Sequence, residues 1–146
     1  MQLKHILILL VAFLAVACRA ESPQAPLEPV TSQVTNSSSA LDEAYARKLS
    51  NIWVEGEGTV SKLLSDDNKG SRHQKFLVKI SSGKTLLFAH NIDLAPRVED
   101  LKIGDTVTFR GEYVYNPKGG VMHWTHHDPQ GRHEAGWIKH NGKQYQ

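Results

Sequence analysis

Apolar side chains recur at every second position through the middle of this 146-residue chain. In residues 74–81, Phe76, Val78 and Ile80 share a phase; in 105–116, Val107, Phe109, Tyr113 and Tyr115 do. Successive side chains of a strand point to opposite faces, so this rhythm predicts strands with one buried face. Residues 52–64 are also strand-like, interrupted by Gly56 and Gly58. Glycine inside a strand marks a bulge, a bend or a close backbone approach. Turn chemistry separates the strands at Ser65-Asp66-Asp67-Asn68-Lys69-Gly70-Ser71, Ser82-Gly83 and Asn116-Pro117-Lys118-Gly119-Gly120. Residues 84–90 and 121–126 complete two hairpins. Residues 91–104, with Pro96, allow at most a helical turn. Residues 127–146 hold Pro129, Gly131, Gly136 and Gly142 and read as irregular with short extended pieces.

A long bent strand, a hairpin, a longer connection and a second hairpin predict a mainly β domain. The expected architecture is a small five-stranded OB-like barrel, its glycine-bearing first strand serving both sides. A small open sheet with a flanking helix is the alternative. Leu41, Ala44, Tyr45, Lys48 and Leu49 recur at helical spacing, so a short N-terminal helix leads into the fold. The single cysteine, Cys18, excludes a disulfide within the chain. The domain, expected over residues 41–146, is therefore held by its core.

The N-terminus carries targeting signals. Lys4 precedes an unbroken apolar run over residues 6–17, too short to span a bilayer comfortably as a helix, ending in the small-x-small pattern Ala15-Val16-Ala17. Residues 1–17 are expected to be a signal peptide. Leu14-Ala15-Val16-Ala17-Cys18 resembles the lipobox of bacterial lipoproteins, which implies a lipid anchor at Cys18 and a periplasmic, membrane-tethered protein. Residues 18–40, with Pro23, Pro26, Pro29 and a serine run, read as a flexible linker.

The chemistry-bearing residues crowd the C-terminal third: His123-Trp124-Thr125-His126-His127-Asp128-Pro129, then Arg132-His133-Glu134, Trp137 and His140. Asp66-Asp67, Arg72-His73-Gln74 and His90-Asn91-Ile92-Asp93 with Arg97 precede them. Each cluster falls at a strand end or in a loop, where binding groups sit on a rigid scaffold. His126, His127, Asp128 and His73 are the candidate catalytic residues, as metal ligands or as a histidine base oriented by a carboxylate. Arg97 and Arg132, with Asn91 and Trp124, are candidates for holding an anionic substrate. His90, His126 and His133 are the candidate ligands of a divalent metal such as zinc, although no regular zinc spacing is present.

Several resemblances bear on this. Asp66-Asp67 and Asn91-Ile92-Asp93-Leu94-Ala95-Pro96-Arg97 are similar to the aspartates and arginines of thermonucleases, without their spacing or a glutamate for their base. Trp124-Thr125-His126-His127-Asp128 is similar to the tryptophan–histidine segment of some HNH nucleases, though the Pro- and Gly-bearing tail argues against their helix. Asp66-Asp67, Gly70, His73-Gln74, Ala89-His90-Asn91-Ile92-Asp93-Leu94-Ala95-Pro96-Arg97, Gly111-Glu112-Tyr113, Lys118-Gly119-Gly120-Val121, the histidine-rich run and Gly136-Trp137 together resemble a family of short exported bacterial proteins termed a domain of unknown function. That resemblance spans residues 54–145 and implies domain boundaries, not an activity.

A net charge of +2 with neutral histidines is a weak footprint for nucleic acid. Two functional readings follow. One is a metal-dependent or histidine-assisted hydrolase of a phosphate-bearing substrate. The other is a non-catalytic envelope module binding a glycan, nucleotide or protein partner through Trp53, Trp124, Trp137, Tyr113 or Tyr115. A plainer reading makes the histidines buried hydrogen-bond networks that hold irregular loops.

Overall fold

A computed structural model describes residues 37–146. The expected signal peptide, Cys18 and the linker up to residue 36 lie outside the described residues. One helix, α1 (Ser37–Ala46), precedes seven strands: β1 (Ser50–Leu63), β2 (His73–Ile80), β3 (Thr85–Asn91), β4 (Thr106–Val114), β5 (Val121–His123), β6 (Trp137–His140) and β7 (Lys143–Tyr145).

The first five strands close on themselves. β1 pairs antiparallel with β2 through Gly58 to Leu63, and with β4 through Ser50 to Thr59. β2 pairs with β3, β3 runs parallel to β5, and β5 pairs with β4. The circuit β1-β2-β3-β5-β4 is the expected OB-like barrel. Strand β1 serves both sides because its glycines let neighbours approach. A Cβ at Gly56 would lie 2.6 Å from the Phe109 ring, and one at Gly58 would lie 2.7 Å from the Lys79 carbonyl oxygen.

The two-residue rhythm maps onto the core as expected. Phe76, Val78 and Ile80 of β2 face Leu86 and Phe88 of β3, with Val107, Phe109 and Tyr113 of β4. The Phe76 and Phe88 rings stack at 5.1 Å, and Phe109 meets Phe88 edge-on at 4.8 Å. Burying each such ring contributes about 1.5–3 kcal/mol. Leu41 and Ala44 bring α1 into the same core.

Three elements differ from the sequence reading. Residues 37–40, expected in the linker, form the first turn of α1, a stretch of three serines and an alanine in which the sequence shows no apolar spacing. Past the end of the helix Lys48 adopts φ 54° while Leu49 N–H donates to the Ala44 carbonyl and Lys48 N–H to that of Tyr45. This is a Schellman cap on a lysine rather than the usual glycine. Strand β5 stops at His123, three residues early, because Trp124 takes φ 50° and leaves the sheet. The tail holds a hairpin, β6 and β7, joined by Asn141-Gly142 with φ 48° and 76°. Both values suit the tight turn that this dipeptide favours. β6 pairs with Thr108 to Arg110 of β4, beside β5 on the same edge.

Candidate functional site

The strand ends divide the expected residues between two places. The first is a cap over one barrel end, where connections 64–72 and 92–105 meet the start of connection 124–136. His90, at 0% exposure, points inward from β3. Its Nε2 lies 3.0 Å from the Pro96 carbonyl oxygen, and its Nδ1 lies 2.9 Å from Thr125 Oγ1. A carbonyl only accepts, so Nε2 carries the proton and Nδ1 accepts from the threonine hydroxyl. Burial pushes the His90 pKa down to about 4. Beside it, the Gln74 amide donates to the Val98 carbonyl at 3.1 Å and accepts from Val98 N–H at 2.9 Å. Asn91 Oδ1 accepts from Asp93 N–H at 2.9 Å, which shapes the turn.

Ion pairs close the cap from outside. Arg97 grips both oxygens of Asp66, at 2.7 and 2.9 Å. Arg72 donates to Asp93 through its backbone N–H and its Nε, each at 2.7 Å. Those contacts hold the Asp93 carboxyl below its usual range. The Arg97 fork, expected to hold an anion, thus holds the protein's own Asp66 carboxylate.

The second place is the outer barrel face beneath connection 124–136. Outward side chains of β1 and β4 form its floor: Trp53 lies opposite Glu112, and Glu55 opposite Arg110. Gly136 lets the connection lie close against that floor: a Cβ there would run into the Trp124 carbonyl oxygen and lie 2.7 Å from the Arg110 carbonyl oxygen. Gly136 N–H also donates to the His126 carbonyl at 3.0 Å.

Four planar groups are layered there. The Arg110 guanidinium sits 5.5 Å from the Trp53 ring centre. Trp53 stacks on His133 at 6.0 Å and 25°. His133 packs against Trp124 at 4.3 Å and 35°. Trp124, 38% exposed, ends the series, with His126 meeting its ring edge-on at 5.9 Å. Arg110 is pinned by Glu55 and Glu134 and by a 2.9 Å bond to the Ala135 carbonyl.

Asp128, its side chain 1% exposed, organises the connection. Its carboxylate accepts from the backbone N–H of Gln130 at 3.0 Å and of Arg132 at 2.6 Å, with Arg132 Nε at 3.4 Å. These donors hold its pKa down to about 2. Both neighbouring imidazoles give their Nδ1 proton to a backbone carbonyl, His126 to His127 at 2.8 Å and His133 to Glu134 at 2.6 Å. His133 Nε2 is sealed from solvent, has no hydrogen-bond partner, and lies 3.9 Å from Asp128 Oδ2. Burial lowers the His126 pKa.

Residues 26–146 match the model of a family described as "Protein of unknown function (DUF3465)". The chain belongs to that family. No curated protein matches it. The family match takes in the whole barrel, the cap and the layered face.

Of the expected residues, His126, Asp128, Arg132, His133 and Trp124 come together on the outer face. His73 lies in register with Asn91 at the rim of the cap. The His127 ring is exposed, and only its carbonyl takes part. His90 has both nitrogens engaged, which leaves no lone pair for a metal. His140 pairs with Asp105 at 2.8 Å and ties β6 to the end of connection 92–105. Among the described residues no three His, Cys, Asp or Glu side chains stand close enough to hold a metal ion as they are. Sequence reasoning missed Arg110, the base of the layered series. Its only signal was its place in the solvent-facing phase of β4.

Proposed function

We propose that this domain is an exported, membrane-tethered binding module that receives a neutral glycan on Trp124. The single observation behind this reading is the layered series Arg110–Trp53–His133–Trp124, which ends on an exposed indole. Trp124 is fixed there by a left-handed backbone conformation. Such a conformation costs a non-glycine residue about 1–2 kcal/mol. Strain of this kind collects at binding sites, where it is part of pre-organisation. The face of an indole is electron-rich, and the C–H face of a sugar ring is its complement. A nucleic-acid strand would need a basic groove alongside the platform. Here Arg110 and Arg132 are matched by Glu55, Glu134 and Asp128.

The test is a fluorescence titration of the full chain with neutral N-acetylhexosamine oligomers, with single-stranded oligonucleotides alongside. Saturable quenching by the glycan, weakened at least about tenfold in Trp124→Ala at unchanged thermal midpoint, supports the reading. Equal affinity in that variant, or binding of the oligonucleotide alone, overturns it.

The hydrolytic reading draws on one observation, the His133 lone pair facing Asp128. It calls for a separate cation to hold a phosphate, and Arg72, Arg97 and Arg132 each have a carboxylate partner. Turnover of a phosphodiester that disappears in His133→Ala would restore it.

A further inference from the structure

We propose that connection 124–136 carries an acid lock: proton uptake at His133 Nε2 joins that ring to the Asp128 carboxylate and fixes the layered face beneath Trp124. The lock stands on the geometry around His133. Its effect on ligand affinity rests on the glycan reading.

His133 Nδ1 lies 2.6 Å from the Glu134 carbonyl, which only accepts, so the neutral ring keeps its proton there and carries its lone pair on Nε2. That Nε2 is the only buried side-chain polar atom without a hydrogen-bond partner among the described residues. Native structures rarely leave such an atom unpaired. Asp128 Oδ2 stands 3.9 Å from it. Both atoms are acceptors in the neutral state, so nothing bonds them and they stand apart. A proton on Nε2 turns the same two atoms into donor and acceptor. A charge-assisted bond between them needs an approach of only about 1 Å.

The surroundings favour the charged ring. Trp53 and Trp124 flank it at 6.0 and 4.3 Å, and the face of an indole attracts a cation. The Asp128 side chain, 1% exposed, offers a negative charge shielded from water. The opposing charges are weak. From β4, Arg110 lies beyond Trp53, where Glu55 of β1 and Glu134 balance it. Within the connection, His126 meets the ring at 5.3 Å, and burial lowers its pKa, which disfavours a second charge there. Arg132 competes for Asp128 Oδ2 only through a 3.4 Å contact, from a side chain that is 66% exposed and so screened by water. Asp128 already holds the backbone N–H groups of Gln130 and Arg132. Joining His133 to it ties the two ends of that segment together, and Trp124 rests on the same ring. Pre-organising a binding surface raises its affinity, so the platform binds more tightly in acid.

The layered face supplies its own reporter, because Trp124 and Trp53 both touch His133. The full chain is followed between about pH 8 and pH 5, the range in which histidine changes charge. The readouts are tryptophan emission and amide hydrogen exchange, the latter corrected for its intrinsic pH dependence. In acid the emission is expected to change, and protection of the Gln130 and Arg132 amides to rise at least about fivefold. Both changes vanish in His133→Gln and persist in His127→Gln, whose ring is exposed. Should His133→Gln fail to fold, Asp128→Asn serves, since it keeps an oxygen for the backbone donors but no charge; the rise in protection must vanish there. In a parallel series, N-acetylhexosamine oligomers bind at least about fivefold tighter at the acid end in the unaltered chain and equally at both ends in His133→Gln. Glycan binding absent at every pH overturns the platform reading, and the emission and exchange arms still decide the lock. Emission and protection that stay flat across the range, or a change undiminished in His133→Gln, overturn the lock.

Discussion

His90 and His133 are both withdrawn from water, one under the barrel cap and the other on the layered outer face. The cap pairs both nitrogens of His90 and both ends of the Gln74 amide. The outer face leaves His133 Nε2 without a partner, beside a carboxylate it does not reach. A buried polar group that is fully paired holds a fold in one arrangement. One left unpaired costs stability, and its persistence suggests a partner supplied from outside. The same side chain is thus fully paired in one region and only half paired in the other.

The largest test of this contrast is His90→Ala. It removes a packed ring and strands both the Thr125 hydroxyl and the Pro96 carbonyl, so urea denaturation should show a loss of about 3 kcal/mol. Acid probes the same residue without mutation. The His90 pKa is lower in the folded state, at about 4 against 6.5, so the unfolded chain binds more protons between those values. Stability is therefore full above pH 6.5 and falls by about 3 kcal/mol on descent to pH 4. His126 and His123, also lowered by burial, act in the same direction. The carboxylates of Asp93, Asp105 and Asp128 weaken the fold only below their ordinary pKa of 3.8. A stability profile flat from pH 7 to 4 would contradict the His90 assignment.

Gly136→Ala attacks the outer face instead. Its methyl group would overlap the Trp124 carbonyl, so the connection must lift; overpacking of this kind costs about 1–3 kcal/mol. Glycan affinity should fall with it, while the pH profile set by His90 stays in place. His133→Ala removes a ring packed between Trp53 and Trp124 and its Nδ1 bond to the Glu134 carbonyl, but with them a buried nitrogen that has no partner, so urea denaturation should show a smaller loss than for His90→Ala, about 1–2 kcal/mol. Arg97→Ala removes a half-exposed ion pair and should cost below about 1 kcal/mol, checked by the thermal midpoint. If His133→Ala proved as damaging as His90→Ala, the distinction between the two regions would collapse.

The barrel was legible because its strands are long enough to show their period. Phe76, Val78 and Ile80, then Val107, Phe109 and Tyr113, announce their faces, and the glycines of β1 announce its bend. Strands β6 and β7 are too short for a period to emerge, although Asn141-Gly142 was a turn signal in plain view. In the candidate site the crowding of His, Asp and Trp over residues 123–134 was legible as well. Which nitrogen each imidazole uses was not. His90 is decided by Pro96 and Thr125, a turn and a strand exit placed only by tertiary structure. Arg97 resembled an anion clamp until folding set Asp66 against it.

The closure of the barrel also carries a meaning in time. Its sealing seam joins Ser50 to Val114 and Thr59 to Thr106, partners remote in sequence, whereas the β2–β3 and β6–β7 hairpins are local. Hairpins form within about 1–10 μs, but non-local β pairings take milliseconds to seconds. Closing that seam therefore orders a much longer stretch of chain than either hairpin does. Trp53 meets Arg110 across the same seam, so the layered face depends on the barrel's non-local closure rather than on any local turn.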